Sequence, residues 1–463
     1  MTNIKHAVKS KVNIFLILLI TLSTSCTELV EVDLPDTKID KSEVFKDAST
    51  IKAALNNLYL NYLSSSLFNK ANTGINFNIS LFTDELDYYG SNAASNDIYL
   101  NTITDTHSTI NNWWNNSYQH IYVINAFIEG VEKTDVLQEK QKNTYLGEAY
   151  TLRALYYQYL AIFFGDIPYT KSTDYKLNKN LVRTPYTQVI LNIEEDLKIA
   201  SNLLDYTYRD TNKFYANKAV ADLLLIENYL LQNRYDKAEQ IAQALIDTNI
   251  YNIEIDLQTT FKKNAKSTLW QLSPRSLVGN SATSEALLYI YSNFTTNSST
   301  ISDALLNLFD EQDKRKNNWL NKITLDNQDF YQVYKYKNQN NNTDEFSIIF
   351  RIEQIYFDLV FSFIMQDKID KAIDTLNILR QKRGLDNLPV SLNKQELIDY
   401  YLQESSKEFF TENARRFIDL KLTNKLEVLQ NTKPSFKSHH NLLPIPIKQI
   451  EINKNLLPNN PGY

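Results

Sequence analysis

Seven aromatic side chains stand where rings could meet a solute as well as a core. Tyr88, Tyr89 and Tyr99 share one polar segment, Tyr289, Tyr291 and Phe294 another, and Trp113 lies beside a second tryptophan, Trp114. Sugars present apolar C–H faces ringed by hydroxyls, so aromatic platforms flanked by Asn, Asp and Gln are the chemistry that holds them. Trp270 and Trp319 read as core residues. Catalytic patterns are thin. The five histidines (His6, His107, His120, His439 and His440) make no HExxH or other metal-ligand spacing, and there is no GxSxG or phosphate-binding loop. The His439-His440 pair reads as a polar turn. No catalytic residue, metal or cofactor is therefore expected. Asp84, Glu85 and Asp87, the acids nearest the first aromatic group, read as loop caps or ligand acceptors. A secreted glycoside hydrolase using two carboxylates on a helical scaffold is the rival reading.

One residue carries a different chemistry. Cys26 is the only cysteine among 463 residues, so it has no disulfide partner within the chain. It follows Lys5, Lys9 and Lys11, an apolar run over 12–22, and the small residues Ser23, Thr24 and Ser25. A permanent membrane helix takes about 20 apolar residues, and this run is shorter, so residues 1–25 read as a secretory signal peptide. A cysteine at that junction resembles a bacterial lipobox cysteine, acylated to become the first mature residue. Leu22 stands four residues before Cys26, whereas the usual lipobox leucine stands three before. Several acyl chains, each adding about 0.8 kcal/mol per buried CH₂, anchor a protein stably to a membrane.

The chain is 43% hydrophobic and 22% charged, long enough for a large core, with only 8 glycines and 10 prolines. That scarcity disfavours β-propellers and linker-rich arrays. Removing residues 1–25 takes three lysines and no acid from a net charge of −6, leaving −9. An acidic chain with scattered Lys and Arg is a poor nucleic-acid binder, and those cations read as solvated faces.

The elements that must position these residues are mostly helical. Residues 27–45 read as an extended tether with Pro35 and Asp36. Ile51, Ala54, Leu55, Leu58, Tyr59 and Tyr62 then follow helical spacing. Residues 64–112 lose that rhythm and read as long loops. Helices are predicted near 113–130, 142–164 and 185–204, the second ended by Gly165 and Pro168. Two helical hairpins follow tetratricopeptide arithmetic. In 217–247, Ala238 faces Leu225, Ile226 and Tyr229, with Ala242 and Leu245 continuing. In 353–383, Ala372 faces Leu359, Val360 and Phe363, with Leu376 and Leu379 following. Such hairpins bury their apolar faces only by stacking. Between them, 250–348 holds short candidate strands at 269–272 and 331–336 among polar loops such as 292–300 and 338–344. Function tends to sit on such loops.

Taken in order, these segments resemble the SusD/RagB family over almost the whole mature chain. The residues that carry the resemblance are Val44 to Asp47 with Ala53 to Tyr59, then Trp114, Tyr118, Ile121 and Asn125-Ala126. The most specific block is GEAYTLRALYYQYLAIFFGDIPY at 147–169. Arg183-Thr184-Pro185, Ile193, Asp196-Leu197 and Ala200 follow, then Arg351, Glu353 and the stretch from Leu379 to Leu385. The chain closes on Pro444-Ile445-Pro446 and Asn460-Pro461-Gly462-Tyr463. In the late Glu404 to Asp419 block the chain departs from the family. Ser405 replaces an Arg, Asn413 a Gly and Leu422 a final Arg, and Phe357-Asp358-Leu359 stands where small residues are common. Asn tolerates a left-handed backbone, so Asn413 is expected to keep the turn.

The resemblance implies a mainly α fold of tetratricopeptide-like stacked hairpins with an inserted loop-rich, short-strand region. It also implies a lipid-anchored outer-membrane protein of Bacteroidetes-type bacteria. Such a protein captures oligosaccharide or peptide for a SusC-like TonB-dependent transporter without catalysis. The expected division is signal peptide 1–25, tether 26–45, helical region 46–250, insertion 251–348 and helical region 349–463. A structural adaptor that binds no small ligand is the third reading.

Overall fold

A computed structural model describes residues 41–272 and 281–463. The expected signal peptide, Cys26 and most of the expected tether lie outside the described residues. Residues Phe45–Tyr463 form one compact unit, and a four-residue helix, Lys41–Val44, comes before it.

The first long helix, α1 (Ala48–Ser64), starts where Asp47 accepts from the Ser49 and Thr50 amides at 2.9 and 3.2 Å. Those bonds satisfy two of the donors that a helix start leaves unpaired. It buries Ile51, Leu55, Leu58, Tyr59 and Tyr62, one stripe at helical spacing. The segment expected to be loops instead holds α2 (Ile75–Phe82), strand β1 (Leu86–Tyr88) and α3 (Ala93–Tyr99). All eight residues of α2 are buried, so it has no polar face and leaves no amphipathic period in the sequence.

A run of helices follows, each packed on the next: α4 (Ser108–Lys133), α5 (Glu139–Phe164), α6 (Tyr186–Leu203), α7 (Lys218–Leu231) and α8 (Tyr235–Asp247). The array resumes with α9 (Ile352–Met365), packed directly on α8, and α10 (Ile369–Lys382), while α11 (Lys394–Phe409) lies against α9 and α12 (Arg415–Leu422) against α11. Helix α5 is the spine, with every residue from Tyr145 to Phe164 buried. It stops at Gly165, whose φ of 73° suits a residue without a Cβ. In both hairpins the expected facing residues are buried, Ala238 and Ala372 completely. The small alanines let paired helices approach closely, which is how each hairpin covers the next. The fold is mainly α, as expected.

Among the described residues, the insertion between α8 and α9 contributes to three two-stranded antiparallel sheets, one of them completed by β1. Strand β2 (Thr268–Gln271) pairs with β6 (Ile348–Arg351), which runs straight into α9 and closes the base of the insertion. Strand β3 (Ser299–Ile301) reaches back to β1, pairing Leu86 with Ile301 and Tyr88 with Ser299. Strands β4 (Leu320–Leu325) and β5 (Gln328–Val333) form a hairpin turned by Asp326 and Asn327, both at positive φ. Trp270 and Trp319 are fully buried, as expected of core residues.

The expectation of solvated cations fails for the residues that carry the family resemblance. Arg153 is buried and grips Asp196 through Nε and Nη2 at 2.7 and 2.8 Å while also donating to Asn125. Arg315, Arg351 and Arg383 are buried around Glu404, Glu408, Glu412 and Glu353. Burial is tolerated because each guanidinium meets at least one carboxylate at ion-pair distance. Asn413 does adopt a left-handed backbone, φ 52°, and Ala414 beside it shares that conformation. Asp358, in the atypical Phe357-Asp358-Leu359 segment, is buried and ion-paired to Arg415 at 2.7 Å.

Candidate binding surface

The aromatic residues do not act as one group. Trp113 is 0% exposed and donates its Nε1 hydrogen to the Thr73 carbonyl at 2.7 Å, so it has no free face. Tyr289 is buried against Phe77, and Tyr88 is nearly buried with its hydroxyl donating to Thr296 O at 2.8 Å. Tyr99 is half-buried. Its hydroxyl donates to Asp87 at 3.1 Å and Lys433 lies 3.5 Å from its ring centroid. Tyr88 links Tyr99 to Phe77 and so to Tyr289 beneath β1, whereas Trp113 packs on Phe163 in the helical core.

Tyr89, Tyr291 and Phe294 come together. The backbone pairing of β1 with β3 runs on past the strand ends, with Tyr89 N donating to Ser298 O at 2.9 Å and Ser91 N to Thr296 O at 3.0 Å. Gly90 makes this approach possible, since a Cβ there would sit 2.3 Å from Thr296 O. Tyr89 is thereby laid beside Phe294, ring centroids 5.1 Å apart and planes 14° from parallel. The two rings are 42% and 37% exposed. Phe330, from β5, presents its edge to both, at 5.1 and 5.5 Å. Tyr291 lies 6.3 Å from Phe294, anchored by its hydroxyl on Ser299 O at 2.9 Å and by Gln332 on its carbonyl at 2.7 Å. Ser292, Asn293, Thr295 and Thr296 flank the rings and are exposed, as are Asp326 to Asp329 of the adjoining hairpin. The result is an apolar platform edged by hydrogen-bonding groups.

Phe330, one residue before the candidate strand 331–336, was missed; it is nearly buried and backs the two exposed rings with its edge.

The neighbouring carboxylates are committed to structural partners. Asp84 is held by Arg416 at 2.8 and 2.6 Å, and Asp87 takes the Tyr99 hydroxyl, while burial raises the Asp87 carboxyl above its usual range. Glu85 is buried, and that burial pushes its carboxyl up to about 7. His439 and His440 pack edge to face with Tyr463 nearby. Among the described residues no group of three His, Cys, Asp or Glu could hold a metal ion, and no helix is long and apolar enough to cross a membrane. A groove of about 280 Å³ lies elsewhere, between α4 and the C-terminal segment, lined by Trp114, Tyr118, Tyr122 and Ile452. It shares no lining residue with the aromatic platform.

Residues 36–230 match the family model of SusD-like proteins described as "Starch-binding associating with outer membrane". SusD-like protein P2 of Formosa agariphila is 27% identical over 259 residues, 54% of this chain and 49% of that protein. The alignment thus spans about half the length of that relative. The fold matches a SusD superfamily protein from Bacteroides vulgatus with a TM-score of 0.80 at 17% identity, over 90% of this chain and 100% of that one. A laminarin-binding SusD-like protein matches with a TM-score of 0.75 at 19% identity, over the same shares. The chain is thus similar to SusD-like proteins in sequence over residues 36–230 and shares the fold of SusD superfamily structures over 90% of its length.

Proposed function

We propose that the chain is a cell-surface lipoprotein, anchored through Cys26 to the outer membrane, that captures oligosaccharide on the Tyr89, Phe294 and Phe330 cluster. It delivers the glycan to a SusC-like TonB-dependent transporter and breaks no bond. The observation that carries the reading is the exposed, nearly parallel Tyr89–Phe294 pair, raised on loops above a helical scaffold. A sugar ring lies flat on such rings, and its hydroxyls reach the exposed Asn293, Thr295 and Asp329. The family description and the laminarin-binding neighbour support a glycan over a peptide. The helical regions 46–250 and 349–463 serve as scaffold, and 251–348 together with Tyr89 presents the ligand, with Tyr291 bracing the platform and Tyr88 and Tyr99 holding β1. Glycoside hydrolysis is disfavoured because Asp84, Asp87 and Asp329 are tied to Arg416, Tyr99 and Lys322.

Titration calorimetry against a glycan panel, followed by chromatography of each mixture, tests this reading. Saturable binding of at least one oligosaccharide with the sugar recovered intact is expected. Shortened products would point to the hydrolase, and binding of peptides alone would overturn the choice of ligand.

A further inference from the structure

The charges around the aromatic platform are nearly all of one sign. The stretches that build it, 86–92, 289–301 and 326–333, hold Asp87, Asp326 and Asp329 and no lysine or arginine. The β1–β3 pairing continues to Tyr89, and side chains alternate along a strand. Asp87 and Tyr89 therefore stand on one face of the ladder, two steps or about 7 Å apart at ~3.3 Å per residue. Asp87 is half-buried, and Asp303, which opens the short helix Asp303–Leu306 after β3, is exposed. Burial raises the Tyr89 hydroxyl above its ordinary range, and the carboxylates of Asp87 and then Asp303 raise it further, which places both charges near that ring. The bond that Asp87 accepts from the Tyr99 hydroxyl leaves its negative charge in place. The neighbouring cations offset little of this charge. Lys322 is paired with Asp329 at 2.7 Å. Lys433 is nearly buried against the Tyr99 ring and donates to the Tyr99 carbonyl at 3.3 Å. Burial brings its ammonium down to about 7, so at neutral pH it is only partly charged.

We propose that the platform takes uncharged oligosaccharides and rejects anionic ones, with Asp87 and Asp303 as the residues that set this selectivity. The inference rests on the reading of Tyr89 and Phe294 as the glycan site. A ligand carboxylate about 7 Å from a protein carboxylate in water loses a factor of about three in affinity, and one facing two of them about sevenfold. A hydroxymethyl group in the same place meets no such repulsion, and its hydroxyl can donate to either carboxylate. The selectivity is thus built from charges beside the rings, while the rings supply the stacking surface common to every sugar.

Calorimetric titration at neutral pH and low salt with matched pairs tests the proposal. Each neutral oligosaccharide of the glycan panel, laminarihexaose, cellohexaose and maltohexaose among them, is set against the same sugar with its C6 hydroxymethyl groups oxidised to carboxylates. In every pair that binds, the neutral member is expected to bind about fivefold tighter or more. That difference is expected to shrink in ~1 M salt, where charges are screened within about 3 Å. Asp303→Asn is expected to tighten binding of the acidic member about threefold, a gain that a misfolded variant cannot give. The double variant Asp87→Asn, Asp303→Asn is expected to bring the two members of a pair within about twofold of each other. Acidic members that bind as tightly as their neutral partners, or an affinity ratio unchanged in the double variant, would overturn this inference and leave the platform as a glycan site. If neither member of any pair binds, the reading of the platform falls, and this inference falls with it.

Discussion

Glu408 is the keystone of the buried ion cluster, and removing it tests whether the scaffold depends on that cluster. It is fully buried and accepts from Arg351 Nη1 at 2.6 Å, Arg383 Nη2 and Nε at 2.7 and 3.0 Å, and Arg315 Nη1 at 3.1 Å. Burial alone would raise its carboxyl, but the three guanidiniums outweigh that and hold it well below its usual range. Glu408→Ala leaves three buried arginines sharing one fewer acid. Breaking a buried pair by deleting one partner costs about 3–5 kcal/mol. Unfolding entropy is about 2.1 cal/mol/K per residue, so the unit Phe45–Tyr463 loses about 1 °C of Tm per kcal/mol. The expected drop is therefore about 3–6 °C. Tryptophan fluorescence reads it well, because Trp319 is buried with Arg351 and Arg383 over its ring. A Glu408→Ala protein that melts within about 1 °C of the parent would refute the reasoning.

Two further outcomes follow from local geometry. Gly74→Ala is expected to destabilise by about 1–3 kcal/mol through overpacking, since its Cβ would stand 1.8 Å from the Asn69 carbonyl oxygen; chemical denaturation measures it. Stability should peak in mildly acidic solution. Burial raises Glu404, but Arg315, Lys407 and Arg380 bring it down to about 2, so its contribution is full above about 4.5 and lost as pH falls toward 2. Burial raises Glu85 and Glu285 to about 7, so stability also falls as pH climbs from about 4.5 through 7. Melting temperatures across that range check both limbs, and Glu85→Gln should flatten the upper one; a Tm that climbs steadily from pH 5 to 8 would contradict the assignment.

Much of this was legible in the residues, for identifiable reasons. The two hairpins announce themselves because their second helices, α8 and α10, have one wet face, so Ala238, Ala242 and Leu245, with Leu225, Ile226 and Tyr229 facing them, stand out by spacing. Helix α2 did not, because INFNISLF is buried on every side and its asparagines are satisfied internally, as Asn78 is by the Asn72 and Gly74 carbonyls. The motif residues carry the family resemblance, but Arg153, Asp196, Arg351 and Glu408 turn inward and hold the scaffold rather than a ligand. The platform was half legible. Tyr89, Tyr291 and Phe294 stood out as aromatic residues in polar loops, whereas the burial of Trp113 is decided by the distant Thr73 carbonyl, which no local pattern reveals.

Glycan affinity of the double variant Tyr89→Ala, Phe294→Ala against the parent chain bears most directly on the proposed function. Aromatic contacts contribute roughly 0.5–1.5 kcal/mol each beyond the area they bury. The pair should therefore cost a bound oligosaccharide tenfold or more in Kd while helical circular dichroism stays unchanged. Undiminished binding by the double variant, with the fold intact, would contradict the account.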